Sequence, residues 1–320
     1  MTHKIIIDTD PGVDDAAALL FAHNHPEIDL VGITTIFGNA DIDNVTANAL
    51  FLKQHFGIAA PVARGASRAL ARANGPSPAH VHGSNGLGDI ARTDSAAGAI
   101  DPRPAHQFIT DTIRDHPGEI TLVAVGRLTN LALALNHAPQ IAALVKGVVI
   151  MGGAFSTAGP NGNVTPVAEA NIIGDPEAAD QVFSADWPLT AIGLDVTRQV
   201  ILSREDVAEL AQAGPSQALL ARLTQGYLDY HARLGIDGCY VHDSSALGYL
   251  VRPDLFQMQS GPVRVACDGV ARGQTIMADI HTPYPPNRWD DRPHISAAVG
   301  VDARAMRALV LEVLGISDQA

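Results

Sequence analysis

Acidic residues cluster in one short stretch near the N-terminus, around a Pro-Gly pair. The four carboxylates are Asp8, Asp10, Asp14 and Asp15. Carboxylates this close raise one another's pKa unless a cation or a proton compensates their charge. Helix capping accounts for Asp14 and Asp15 at most, because only those two follow Pro11-Gly12. Since hard divalent cations take oxygen ligands, the pattern favours a Ca²⁺ or Mg²⁺ site.

The sequence around these acids predicts a strand, a turn and a helix. The apolar run 5–7 is typical of a buried parallel strand, Pro11-Gly12 of a turn, and the alanine-rich residues 14–25 of a helix. A second apolar run, 28–36, predicts another strand and is followed by Gly38-Asn39. Because ligands of open parallel sheets bind beyond the carboxyl ends of the strands, we expect Asn39 beside Asp10, where its amide would orient a carboxylate.

Strand and helix patterns alternate along most of the chain. Further strands are predicted at about 61–64, 120–125, 148–151, 189–194, 262–268 and 274–280, and helices at about 42–55, 105–116, 216–234 and from 302 onward, with a capped helix start at Ser203. This alternation predicts an α/β fold, an open and mostly parallel Rossmann-like sheet flanked by helices. No segment has the composition of a linker, so we expect one domain over residues 1–320.

The composition narrows the class of partner. The chain carries 34 acidic and 21 basic residues, a balance that argues against nucleic acid as a partner. Lysine is scarce, which disfavours substrates with several phosphates. No run approaches the ~18 apolar residues of a membrane span, and the N-terminus lacks a signal-peptide pattern. We therefore expect a cytoplasmic protein that acts without a membrane.

Two predicted loops carry polar side chains suited to ligand binding. Residues 65–104 are rich in Gly, Pro, Ala, Asn and Ser and show little periodicity, which predicts a flap over the site that includes His82. The second loop brings Asn163, Glu169 and Asn171 together on what we expect to be non-helical backbone. Such a set suits hydrogen bonding to the several hydroxyls of a sugar.

A histidine and an aspartate are adjacent at His242-Asp243, after a predicted helix that carries Tyr227 and Tyr230. We expect Asp243 to cap a helix while facing the same crevice. His242 is a candidate general acid, and a hydrogen bond from His242 without proton transfer is an equally good interpretation.

Taken in chain order, these motifs resemble those of one family, the calcium-dependent, inosine-uridine preferring nucleoside hydrolases. The matching segments are Asp8-Thr9-Asp10-Pro11-Gly12-Val13-Asp14-Asp15, Gly38-Asn39, His82-Gly83, Gly126-Arg127-Leu128-Thr129-Asn130, Met151-Gly152-Gly153, Asn163/Glu169/Asn171 with Asp175-Pro176-Glu177, Gly193-Leu194-Asp195 and His242-Asp243. The resemblance spans nearly the whole chain. It implies an enzyme that hydrolyses the N-glycosidic bond of ribonucleosides to free base and ribose, commonly as a homodimer or homotetramer.

The resemblance also implies a role for each matching residue. The expected Ca²⁺ ligands are the carboxylates of Asp10, Asp15 and Asp243 and the carbonyl of Val125. The expected ribose contacts are Asp14 and Asn171 at the 2′-hydroxyl, Asp243 at the 3′-hydroxyl, and Asn163 and Glu169 at the 5′-hydroxyl. In this scheme Asp10 is the general base for a Ca²⁺-bound water and Asn39 orients it. His242 or His82 would protonate the leaving base, with Tyr227 as a further base contact.

Two alternatives remain at the level of the sequence. Asp8-Thr9-Asp10 after an apolar strand also resembles haloacid-dehalogenase-like Mg²⁺ phosphatases, which need a later lysine, here Lys146. That interpretation gives no role to Asn163, Glu169, Asn171 or His242. The other alternative is a non-catalytic ribonucleoside-binding protein, which would fit the loss of Asp10 or of a metal ligand. Purine or pyrimidine preference is left open, whereas ribose is expected over deoxyribose.

Overall fold

The computed structural model describes residues 2–92, 100–156, 159 and 161–316. The strands are β1 His3–Thr9, β2 Ile28–Thr35, β3 Val62–Arg64, β4 Ile100–Asp101, β5 Ile120–Ala124, β6 Gly147–Met151, β7 Leu189–Ile192, β8 Ile201–Leu202, β9 Cys239–Tyr240, β10 Phe256–Val265, β11 Thr275–Met277 and β12 His294–Val301. The helices are α1 Val13–Asn24, α2 Ile42–Phe56, α3 Ala79–His82, α4 Ala105–Asp115, α5 Thr129–His137, α6 Ala170–Gly174, α7 Pro176–Phe183, α8 Leu194–Thr197, α9 Arg204–Ala213, α10 Pro215–Arg233, α11 Asp243–Val251 and α12 Ala303–Val313.

One large sheet organises the described residues. Its strand order is β11-β10-β12-β7-β6-β5-β1-β2-β3-β4, and neighbours from β12 to β4 run parallel. The two antiparallel pairs of this sheet are β10 with β11 and β10 with β12. The predicted fold class, an open and mostly parallel sheet with flanking helices, is confirmed.

The sheet separates two apolar cores. Alternate residues of β1 point to opposite faces, so Ile5 and Ile7 pack with helix residues such as Leu19, whereas Ile6 packs with Phe108 on α4. Both faces of β1 are buried from Ile5 onward, which explains the unbroken apolar run Ile5-Ile6-Ile7. Within the described residues no helix is both long and apolar enough to cross a bilayer.

Several predicted elements differ from the observed ones. The strand β12 was not predicted, because Ala297, Ala298 and Gly300, which have low strand propensity, interrupt its Ile and Val residues. The strand β10 begins at Phe256 rather than 262, since its first half is exposed and polar. The predicted flap contains the short elements α3 and β4, and its residues 93–99 lie outside the described part.

Candidate active site

A cavity of about 950 Å³ opens beyond the carboxyl ends of the central strands. It collects most of the predicted site residues from elements far apart in sequence. Those that line it are Asp10, Asp14, Asn39, His82, Val125, Asn163, Glu169, Asn171, Tyr227, His242 and Asp243. The position agrees with the rule that open α/β sheets bind ligands at this edge.

Asp10 is held at the end of β1 by the residue that follows β2. The backbone N–H of Asn39 donates to Asp10 Oδ2 at 2.8 Å, and the Asn39 side-chain amide donates to the Asp10 carbonyl at 3.1 Å. The expected pairing of Asn39 and Asp10 is therefore present. Burial, and then the charge of Asp15, raise the pKa of Asp10 well above its ordinary value.

Two glycines leave the space that the Asp10 carboxylate occupies. A Cβ at Gly38 would overlap Asp10 Oδ2 and lie 2.7 Å from its Cγ, and one at Gly126 would lie 2.8 Å from Oδ1. Neither glycine has a positive φ. Glycine is required at both positions because any side chain would collide with the Asp10 carboxylate, not because the backbone conformation demands it.

Three carboxylates converge beside Asp10. One oxygen from each of Asp14, Asp15 and Asp243 lies within 4.8 Å of the others. Burial raises the pKa of Asp14 and of Asp15 to about 6, and raises that of Asp243 well above its ordinary value. Oδ1 of Asp14 is buried and has no hydrogen-bond partner among the described residues. A divalent cation fits this place, because hard oxygen donors surround it and their mutual repulsion is otherwise uncompensated.

Asp15 is the most firmly fixed of these carboxylates. Its Oδ1 accepts the Thr9 hydroxyl and the Asp10 N–H, and its Oδ2 accepts the Gly12 N–H at 2.8 Å and the Asn39 amide at 2.9 Å. The network ties the start of α1 to the end of β1. It holds the acidic cluster in one geometry.

Asp8 is not a member of this cluster, contrary to the expectation that four acids share one strand end. It lies within β1, where its Oδ1 accepts the Thr34 hydroxyl and the Asn130 amide, the latter at 2.7 Å. Burial raises its pKa to about 7. Asp8 therefore links β1 to β2 and α5.

The predicted sugar-binding residues are organised by the short helix α6. Glu169 caps α6 by accepting the N–H groups of Asn171 and Ile172, and it also accepts that of Gly153. Asn171 lies inside α6, so the prediction of non-helical backbone was wrong for this residue. Its amide NH₂ donates to the carbonyl of Val125 at 2.9 Å, which leaves Oδ1 as an acceptor. Asn163 is exposed, and its Oδ1 accepts the Ala170 N–H.

Aromatic and imidazole rings line the opposite wall. His82 stacks on Tyr227 with a centroid distance of 5.6 Å, and His231 contacts both Tyr227 and Tyr240 edge-on. His231 was missed, although its spacing of four from Tyr227 on α10 places both rings on one face. These rings offer flat faces for stacking and polar atoms at their edges for hydrogen bonding, which together suit a heteroaromatic base.

His242 completes this wall from the start of α11. Its Nδ1 shares a 2.8 Å hydrogen bond with the Thr197 hydroxyl, and burial lowers its pKa to about 3. His242 is the residue that precedes α11, and Asp243 is its first residue, so the predicted capping role of Asp243 was wrong. Burial likewise lowers the pKa of His82 to about 4. Both imidazoles are neutral at pH 7.

The lysine that a phosphatase mechanism needs lies elsewhere. Lys146 immediately precedes β6 and is exposed. Because β6 runs parallel to β5, Lys146 lies at the amino-terminal edge of the sheet, opposite the cavity. Among the described residues, the cation that lines the cavity near Asp10 is the half-buried Arg127, for which the sequence suggested no role.

The geometry agrees with comparisons to known proteins. The family model described as inosine-uridine preferring nucleoside hydrolase matches residues 5–308. The chain belongs to the nucleoside hydrolase family. Uridine nucleosidase 1 of Arabidopsis thaliana is 40% identical over 307 residues, covering 95% of this chain and 90% of that protein. The inosine-uridine preferring nucleoside hydrolase of Crithidia fasciculata is 37% identical, with 98% of each chain covered.

A solved structure extends this family relation to three dimensions. A plant nucleoside hydrolase superposes with a TM-score of 0.94 at 36% identity, covering 98% of this chain and 99% of that one. The prediction that this protein is an enzyme of the nucleoside N-ribohydrolase class is confirmed. The phosphatase alternative has no support from the fold, the position of Lys146 or the family.

Proposed function

We propose that this nucleoside hydrolase cleaves ribonucleosides to free base and ribose in a Ca²⁺-dependent reaction with Asp10 as the general base. One observation carries the proposal. Asp14, whose buried Oδ1 accepts no hydrogen bond from a described residue, converges with Asp15 and Asp243 in the cavity that Glu169 and Asn171 also line. One cavity therefore contains both a cluster of carboxylates that can bind a cation and side-chain oxygens that can accept hydrogen bonds from a sugar.

The cation would be held by oxygen atoms of this chain. The proposed ligands are the carboxylates of Asp10, Asp15 and Asp243 and the carbonyl of Val125. When bound, a divalent cation supplies positive charge that lowers the pKa of a nearby water. The Asn171 amide already donates to the Val125 carbonyl, which fixes the direction of that carbonyl.

Asp10 takes the proton from the attacking water. Its Oδ2 is occupied by the Asn39 N–H, so Oδ1 is the better placed oxygen for this transfer. Asn39 therefore acts as a positioning residue. Water attacks the anomeric carbon while the bond to the base breaks, and the ribosyl ring acquires positive charge. The surrounding carboxylates stabilise that charge.

The ribose hydroxyls would donate hydrogen bonds to side-chain oxygens in and around the acidic cluster. Asp14 and the free Oδ1 of Asn171 would bind the 2′-hydroxyl, and Asp243 the 3′-hydroxyl. Glu169 and Asn163 would bind the 5′-hydroxyl. These contacts hold the ring in line with the nucleophile.

The ring wall receives the base. His82, Tyr227 and His242 are proposed to contact it. A neutral imidazole carries a single N–H. The Nδ1 of His82 accepts the Val13 N–H, so its proton lies on Nε2, and His242 would donate from Nε2 in the tautomer in which its Nδ1 accepts the Thr197 hydroxyl. Uridine and inosine are the substrates we propose first, since the Arabidopsis thaliana and Crithidia fasciculata relatives are named for activity on uridine or on both nucleosides.

The test is release of free ribose from inosine, adenosine, uridine and cytidine, alongside phosphate release from p-nitrophenyl phosphate. We expect ribose from at least uridine or inosine and no phosphate. Phosphate without ribose would contradict the proposal. Binding of uridine without any ribose would instead favour the non-catalytic alternative. A homodimer or homotetramer, a single domain over residues 1–320 and a cytoplasmic location stay predictions.

A further inference from the structure

One imidazole of the ring wall, His231, has no part in the proposed reaction. The wall is a continuous series of ring contacts that runs from His82 through Tyr227, His231 and Tyr240 to His242, with centroid distances of 5.6, 4.4, 5.0 and 5.3 Å in that order. His231 is 3% exposed and lines the cavity. It is therefore the central ring of the wall, between the two histidines proposed to contact the departing base.

A hydrogen bond within α10 fixes the position of the His231 proton. Nδ1 lies 2.9 Å from the carbonyl oxygen of Tyr227, one helical turn earlier. Because a carbonyl oxygen can only accept, Nδ1 carries the proton. Burial lowers the pKa of His231 below its ordinary value, so a second proton on the ring is disfavoured at pH 7. The other ring nitrogen, Nε2, is therefore a lone-pair acceptor.

This Nε2 acceptor is available to a ligand. No described residue donates a hydrogen bond to it, and it is open to the cavity. The rings of Tyr227, Tyr230 and Tyr240 contact the imidazole edge-on. Tyrosine hydroxyls can either donate or accept, so they do not select one pattern of base atoms. The acceptor of His231 is fixed, so it does select.

The imidazoles on either side of His231 have the opposite polarity. His82 donates from Nε2, and His242 donates from Nε2 when its Nδ1 accepts the Thr197 hydroxyl. A base that fits this wall has an N–H group for His231 and acceptor atoms beside that group. Uracil has its N3–H between two carbonyl groups, and hypoxanthine has its N1–H beside one. Cytosine and adenine have a lone pair at the corresponding ring nitrogen, which would face the lone pair of Nε2.

We propose that His231 is a specificity-determining residue that accepts the lactam N–H of uracil or hypoxanthine, so that the enzyme prefers uridine to cytidine and inosine to adenosine. This inference rests on the proposed function and deepens it by naming the class of base. A base without this N–H leaves the Nε2 acceptor buried and unpaired. Unpaired groups of this kind give hydrogen-bonding sites their large selectivity.

The test compares uridine with cytidine and with 3-deazauridine, in which a C–H group replaces N3–H and the ring keeps its shape. Release of each base is followed in wild-type enzyme and in His231→Phe, which keeps a planar ring but removes the acceptor. The measured quantity is the ratio of kcat/KM for uridine to that for each analogue. Intrinsic differences in reactivity between the nucleosides cancel when the ratio of the variant is compared with that of wild type. We expect both ratios to fall at least about tenfold in His231→Phe, through loss of activity on uridine.

His80→Phe is the matched control, also a histidine-to-phenylalanine change. His80 lines the cavity and contacts the Tyr230 ring edge-on at 5.8 Å, but it is exposed and lies outside the series of rings from His82 to His242. This variant should keep both wild-type ratios.

Each other outcome has a defined meaning. Unchanged ratios in a His231→Phe enzyme that still hydrolyses uridine would overturn the inference and leave the proposed function intact. A loss on cytidine equal to that on uridine would also overturn it, because the amino group of cytosine would then be a donor as good as the lactam N–H. An equal fall of the ratios in His80→Phe would do the same. No uracil from uridine in wild-type enzyme would remove the proposed function and this inference together. If His231→Phe does not fold, His231→Leu replaces it with the same expected result.

Discussion

Gly38→Ala tests whether the position of the Asp10 carboxylate controls catalysis. The added Cβ would overlap Asp10 Oδ2 and lie 2.7 Å from Cγ, so the carboxylate must retreat by more than about 1 Å to reach ordinary contact. Its hydrogen bond from the Asn39 N–H, now 2.8 Å, would lengthen or break. A displacement of about 1 Å at a catalytic group costs roughly 100-fold in rate, so we expect a loss of at least that size in kcat for uridine.

The matched control is Gly226→Ala, also a glycine-to-alanine change. Gly226 lies inside α10, and a Cβ there would meet no atom within 4 Å. Replacing glycine by alanine inside a helix stabilises it by about 0.5–1 kcal/mol, so Tm should rise by roughly 1–2 °C with kcat unchanged. Ribose release and thermal melting are measured on both variants. A folded Gly38→Ala enzyme with wild-type kcat would refute the reasoning.

Three further predictions address the individual roles. Asp10→Ala should lower kcat by orders of magnitude while KM for uridine changes little, and wild-type turnover would remove the general-base assignment. His242→Ala should impair uridine hydrolysis more than p-nitrophenyl riboside hydrolysis if His242 protonates the base, whereas equal losses would argue against proton donation. 2′-Deoxyuridine should be a substrate about 10⁴-fold poorer than uridine in kcat/KM, because it leaves the buried Asp14 acceptor unpaired; comparable values would contradict the 2′-hydroxyl assignment.

The adjacency of Asp10 and Asn39 could be predicted from sequence because parallel strands end at one edge. Each residue closely follows a recognisable apolar strand, so the sheet alone brings them together. The acceptors Glu169 and Asn171 were found because two amides and a carboxylate, Asn163, Glu169 and Asn171, occur on one short segment. Their pairing through a capped helix was not predicted, since α6 has only five residues and little periodicity.

Other features depend on contacts that no local pattern encodes. The hydrogen-bond partners of Asp8 are Thr34 and Asn130, which are 26 and 122 residues away in sequence. The local sequence around Asp8 therefore could not show that it lies outside the acidic cluster. Arg127 was noticed only as part of a motif, because a single arginine after a strand is common and only the structure shows that it lines the cavity. The strand β12 was missed because the sheet stabilises a sequence whose own propensity is weak.

The most direct test of the central claim is ribose release from uridine by the chelator-treated enzyme, before and after Ca²⁺ is restored. The acidic cluster of Asp14, Asp15 and Asp243 predicts loss of activity in EDTA and recovery with excess Ca²⁺. Loss without recovery in enzyme that remains folded would contradict Ca²⁺ as the cation. Undiminished ribose release in EDTA would contradict the metal-dependent mechanism itself.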